Sequence, residues 1–204
     1  MTSPYVLPDL GYEYDALEPW CPAETLHLHH GKHHAAYVKG ANDAADALQN
    51  VDPANARLLA ALRRDLTFNV SGHVLHSLFW KSLAPTTSGA PAEALAATIA
   101  ASFGSQDRMI DLLKAACMGV QGSGWGAVIY DSVSKTLRIA QLHDHQGEVV
   151  PNSTVLTVVD IWEHAYYLKY RNERAGWVTA VLDHLNWTHM GLRLEAASQA
   201  LIPT

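Results

Sequence analysis

"TLHLHHGKHHAAY", residues 25–37, sets five histidines (His27, His29, His30, His33 and His34) within eight positions. Each imidazole is a bulky, half-polar ring that titrates near neutrality, so crowding them is costly unless they find partners. On a helix, residues four apart share a face. His29, His33 and Tyr37 then form one row, and His30 with His34 another. Pro22 suits the first turn of such a helix, and Glu24 adds favourable charge at its N-terminus. Apolar and histidine positions continue at helical spacing to about residue 48, with Gly31 and Gly40 expected as interruptions. On its own, the segment reads equally well as a solvated helix face rich in histidine.

Working outward, a second long helix is expected over 54–83, with Leu58, Leu59, Leu62, Leu66 and Val70 as its buried stripe. Its "SGHVLHSLFW" (71–80) places His73 and His76 beside Phe79 and Trp80. "APTTSGAP" (84–91) is a polar, proline-containing stretch and the expected boundary between an N-terminal unit, 1–88, and a C-terminal unit, 89–204. "PAEALAATIAASFG" and "SQDRMIDLLKAACMG" read as two further helices, each stopped by glycine. After "QGSGW" (121–125) the texture changes. "WGAVIYD" and "KTLRIAQLH" form a hairpin around "SVS", "STVLTVVDIW" is a third strand, and "EHAYYLKYRNER" returns to helix. The expected class is α+β: an N-terminal antiparallel helical hairpin, then an α/β domain with a small antiparallel sheet.

"DIWEHAYY" (160–167) puts Asp160 four residues before His164 at a strand-to-helix junction. A capping aspartate and a core histidine would be ordinary explanations. Taken with the histidines of the hairpin, however, they supply imidazoles from separate elements and one carboxylate, all in aromatic-rich surroundings. A metal ion can satisfy several such groups at once.

The totals set limits. At 204 residues the chain can bury a sizeable core, and 49% hydrophobic against 17% charged residues fits a compact folded protein. A net charge of −6 argues against nucleic acid as the main partner, although a local basic patch can still draw a small anion. Cys21 and Cys117 are too few for a disulfide framework, which places the chain in a reducing cytoplasm. The first twenty residues lack a signal-peptide pattern, and no apolar run is long enough for a bilayer, so no membrane partner is expected.

Over nearly its whole length the chain resembles the iron/manganese superoxide dismutases. "LPDLGYEYDALEP", "HHGKHHAAYVKGAN", "HSLFWKSL", "FGS", "GSGW", "DIWEHAYYLKY" and "NW" occur in that family's order and spacing. The resemblance implies a three-stranded antiparallel sheet and one Fe or Mn ion per subunit between the two units. It also implies a homodimer or tetramer, with superoxide anion as the partner molecule. Carried over by position, the implied ligands are His29, His76, Asp160 and His164. His33 and Tyr37 match a gateway pair at the mouth of a substrate funnel, and Tyr167 matches the tyrosine that hydrogen-bonds that histidine. Trp80, Trp125 and Trp162 match an aromatic lining. Glu163 matches a residue that reaches a ligating histidine of the partner subunit. His27, His30 and His34 are left to packing or hydrogen bonding.

Dismutation needs an ion that cycles between two valences, which zinc cannot do. Because the protein is net negative, local cations must attract the anion, and Lys32 and Arg174 are the candidates. Family members also supply a residue that hydrogen-bonds the metal-bound solvent. The second-helix slot for it is Gly72 here, leaning to manganese. The loop slot is filled by His145, an iron-type or dual-specificity feature, although a one-residue shift would put Gln146 there. On balance this favours iron. Ala127 replaces a second tryptophan, implying a looser lining, and Leu75 stands where asparagine is common. Two other readings stay open: a family-fold metalloenzyme redirected to another redox reaction, and a metal-binding protein without turnover.

Overall fold

A computed structural model describes residues 4–87 and 89–200. Ser88, within the expected boundary stretch, and the two ends of the expected units, 1–3 and 201–204, lie outside the described residues. The chain enters through turns into α1 (Ala23–Leu28), a π-helical turn (His29–His34) and α2 (Ala35–Asn50), then returns along α3 (Ala56–Ser82). Neither glycine interrupts the path. Gly31 sits inside the π turn, and Gly40 lies within α2 where a Cβ would collide with the Asn69 amide of α3. Asn55 caps α3 by accepting from the Leu58 N–H at 3.1 Å.

The expected buried stripe of α3 is corrected. Leu59, Leu62, Leu66 and Val70 are only partly covered, Leu58 is 45% exposed, and full burial begins at Gly72. The early half of α3 faces α2, with Phe68 also reaching the His145 and Trp162 rings, and a helix pair covers only the facing stripe of each member. From Gly72 onward the helix runs against the rest of the molecule. Leu75, His76, Leu78, Phe79 and Trp80 are all buried there.

The second half opens with α4 (Glu93–Phe103), ended by Gly104 at φ +88°, and α5 (Gln106–Gly119), capped by Ser105. Strands β1 (Gly124–Asp131), β2 (Thr136–His143) and β3 (Ser153–Asp160) form an antiparallel sheet in the order β2-β1-β3. All eight residues of the central β1 are buried, Ala127 among them, because the sheet is covered on both faces. The helix expected from Glu163 through Arg174 is split. α6 (Glu163–Tyr170) stops at Arg171, whose φ of +49° no α-helix accommodates, and α7 (Arg174–Asp183) begins three residues later. α8 (Trp187–Gln199) then packs across β3, α3 and α4. One apolar cluster joins both halves, from Leu17 and Phe79 through Trp125 and Val158 to Trp177 and Leu194.

Candidate metal centre

The π turn fans its histidines apart. A π turn takes in one residue more than an α turn, which shifts side-chain spacing across it by one position, and such turns are frequent at functional sites. His29 points at Asp160, with Nε2 to Oδ2 at 3.0 Å. His30 donates from Nε2 to the Pro8 carbonyl at 2.8 Å and accepts at Nδ1 from the Tyr14 hydroxyl at 2.9 Å. His27 stacks on Tyr14 at 3.8 Å. His34 accepts from Trp80 Nε1 at 3.0 Å, and that forces its proton onto Nε2, which donates to His73 Nδ1 at 2.8 Å. His27, His30 and His34 are thus structural, as expected. His33 is exposed and stacks on His164, ring centres 4.3 Å apart.

His29, His76, Asp160 and His164 converge, with one ligand atom from each lying within 4.8 Å of all the others. α3 contributes His76, whose Nδ1 donates to the Gly72 carbonyl at 2.6 Å and so leaves a lone pair on Nε2. The end of β3 contributes Asp160, and the first turn of α6 contributes His164. Asp160 spends Oδ1 on the Trp162 N–H at 2.8 Å, which leaves Oδ2 for the site. His76 Nε2 and His164 Nε2 stand 3.8 and 3.4 Å from that oxygen. Yet His29 Nε2, His76 Nε2, His164 Nε2 and Asp160 Oδ2 are all buried without a hydrogen-bond partner. Orphaned buried polar atoms are costly. Four of them aimed at one point, three nitrogens and a carboxylate oxygen, fit a first-row transition metal.

Burial alone would raise the Asp160 carboxyl, but His164 and His29 beside it prevail and hold it well below the usual carboxylate range. Burial pushes His29 down to about 4 and His76 well below the ordinary value, so both stay neutral and able to ligate. Burial also lowers His33, aided by nearby His164 and opposed by Asp160.

His145 closes the cavity between Trp125, Tyr37 and Trp162. Trp125 Nε1, a donor only, points at His145 Nδ1 at 3.1 Å. The His145 proton therefore sits on Nε2, which is buried and has no partner. Trp162 stacks on this ring at 4.5 Å and 10°, and Tyr37 meets it edge-on at 4.6 Å. Gln146 is exposed, and its side chain accepts from the His145 N–H instead of entering the site. A Cβ at Gly72 would come within 2.8 Å of the Tyr37 ring and 3.2 Å of His145. The glycine is what lets the loop histidine take the space that a helix-borne side chain would fill.

Trp80 and Phe79 pack on His29, and Trp125 meets His76 edge-on at 5.0 Å. Other sequence candidates lie outside this cluster. Tyr167 is 53% exposed and makes no hydrogen bond to His33 within the protomer among the described residues. Glu163 and Lys32 are exposed. Arg174 is partly buried and commits its guanidinium to the Val120 carbonyl at 2.8 Å and the Tyr166 hydroxyl at 3.4 Å.

An acid weakness follows from these rings. His34 is held down to about 3 and His145 to about 4, chiefly by burial. The unfolded chain takes up protons first as pH drops below about 6.5. Stability contributed by the neutral buried rings is therefore intact above about pH 6.5 and lost progressively toward about pH 4. The thermal midpoint should be flat near neutrality and fall below about pH 6.5; a midpoint unchanged down to about pH 4 would contradict this.

A helical hairpin facing a three-stranded sheet, with three imidazoles and one carboxylate meeting between them, is an arrangement able to hold a transition-metal ion. Two family profiles cover the chain: "Iron/manganese superoxide dismutases, alpha-hairpin domain" matches residues 4–84, and "Iron/manganese superoxide dismutases, C-terminal domain" matches 91–193. The chain belongs to the iron/manganese superoxide dismutase family. It is 43% identical over 199 residues to "Superoxide dismutase [Mn/Fe]" of Propionibacterium freudenreichii subsp. shermanii, covering 96% of this chain and 99% of the relative. Against "Superoxide dismutase [Mn]" of Corynebacterium diphtheriae the figure is 47% with the same coverage. "Superoxide dismutase [Fe]" of Mycobacterium tuberculosis is 41% identical over 195 residues, 95% of this chain and 94% of its own.

Proposed function

We propose that this chain is a superoxide dismutase, converting two superoxide anions and two protons into dioxygen and hydrogen peroxide. The convergence of His29, His76, Asp160 and His164 on one buried point carries the reading. The ion we assign to it is iron or manganese, with iron favoured by His145 and held between units 1–88 and 89–204. When bound, either ion supplies the one-electron chemistry by alternating between its divalent and trivalent states.

The protein's own part is to admit a small anion, exclude water and deliver protons. Trp80, Trp125, Trp162 and Phe79 wall the site with apolar surface. His145 holds a proton on Nε2 inside it. The Tyr37 hydroxyl keeps its proton, because burial and the carboxylates of Asp160 and Asp144 all disfavour its anion. With His33 neutral, we assign attraction of the substrate to Lys32 and Arg174.

Elemental analysis after reconstitution with each metal separately, paired with a superoxide-scavenging assay, tests this reading. About one iron or manganese per chain with activity is expected. A loaded but inactive protein would move the assignment to another redox reaction or to metal binding without turnover. We also propose a homodimer or tetramer in the cytoplasm. Exposed Tyr167 and Leu168, 53% and 52%, lie beside Glu163 on α6, and both cysteines are free and buried. Sedimentation should find no monomer at micromolar concentration, and a monomer there would remove the assembly.

A further inference from the structure

We propose a second ligand site, for a small organic phosphate monoester, in the hollow between the later half of α3, the start of β3 and α8. This cavity, of about 420 Å³, is lined by Lys81, His189 and Arg193. It adjoins a second hollow of about 350 Å³ that shares Thr154, His189 and Arg193. Neither Lys81 nor Arg193 forms a salt bridge with a carboxylate among the described residues, on a chain with 20 acidic residues against 14 lysines and arginines. Arg193 spends only Nε, donated to the Val155 carbonyl at 2.8 Å, and both Nη groups remain available. His189 Nδ1 is buried with no partner. Burial and the positive charges of Arg193 and Lys81 all lower the His189 pKa, and no negative group offsets them.

Two permanent cations and an imidazole match a dianion better than a single carboxylate. The free edge of a guanidinium suits phosphate oxygens in paired contact. The hollow exceeds what a bare phosphate fills, and Leu75, Leu78 and Val74 give it an apolar wall for an organic group. Across α3, the Ser77 hydroxyl lies 3.4 Å from both His34 Nε2 and His73 Nδ1, so the hollow backs onto the histidine relay without sharing a metal-site residue.

The test is calorimetric titration of the metal-loaded protein with phenyl phosphate and with inorganic phosphate, in chloride buffer. One saturable site is expected, tighter for phenyl phosphate. Lys81→Gln should weaken it roughly tenfold while leaving dismutation unchanged, and Lys81→Glu should abolish it. No saturable heat with either probe would overturn the site. Binding unaffected by Lys81→Gln would also overturn it, by moving the phosphate to the metal centre. Equal binding of the two probes would overturn the role given to the apolar wall. His189→Asn, with circular dichroism matching the parent, should weaken binding as well, and unchanged affinity there would remove the imidazole from the site.

Discussion

His76→Ala is expected to leave the protein without bound metal and without scavenging activity. His76 is wholly buried on α3, and its Nδ1 bond to the Gly72 carbonyl aims Nε2 at Asp160. Removing a supporting residue from a metal site costs roughly 10–100-fold in affinity, and removing a ligand should cost more. The variant also loses one of three nitrogens facing a buried carboxylate. Asp160 Oδ2 would then be left as a poorly compensated charge. Because an ion held by these four residues would tie the hairpin to the β3–α6 junction, its loss should also lower the thermal midpoint. Metal content by mass spectrometry decides the matter, and a variant retaining the parent's metal would show that the ligand set is wrong.

His145→Ala is expected to keep its metal and lose most of its rate. The alanine removes the Nε2–H donor, strands the Trp125 Nε1–H and opens space beside Tyr37. A fall of roughly 10–100-fold in scavenging per bound metal is expected. His145→Gln restores an amide donor of similar reach and should recover much of that loss. Undiminished activity in the alanine variant would strip His145 of its role. An equal defect in both variants would show that the imidazole itself, rather than its donor, is required.

Much of this was legible in the chain because it lies in local spacing. The helical spacing that carries the hairpin from Pro22 toward residue 48, the unbroken β-rich run "WGAVIYD", and the nearness of Asp160 to His164 across a strand-to-helix junction are each readable from neighbouring residues. Less legible was whatever depends on a distant partner. Leu58 through Val70 carry a good apolar period, but whether a stripe is buried depends on how much protein lies across from it, and none of these stripe positions is fully buried. The break at Arg171 has no glycine or proline to announce it. His145 and Gln146 could be told apart only once Trp125 and Tyr37 were in place around the ring. The Trp80–His34–His73 relay joins residues up to 46 positions apart, and no local pattern signals it.

The π turn also carries one residue more than an unbroken α-helix would need between the same two ends. In α geometry each residue advances about 100°, so an extra residue carried that way would turn His29 by about that angle relative to Tyr37. Widening one turn takes the residue up where it lies and keeps the register on either side. Tightening 29–34 into α geometry at full length would therefore swing His29 off the site while every functional side chain stayed in the sequence.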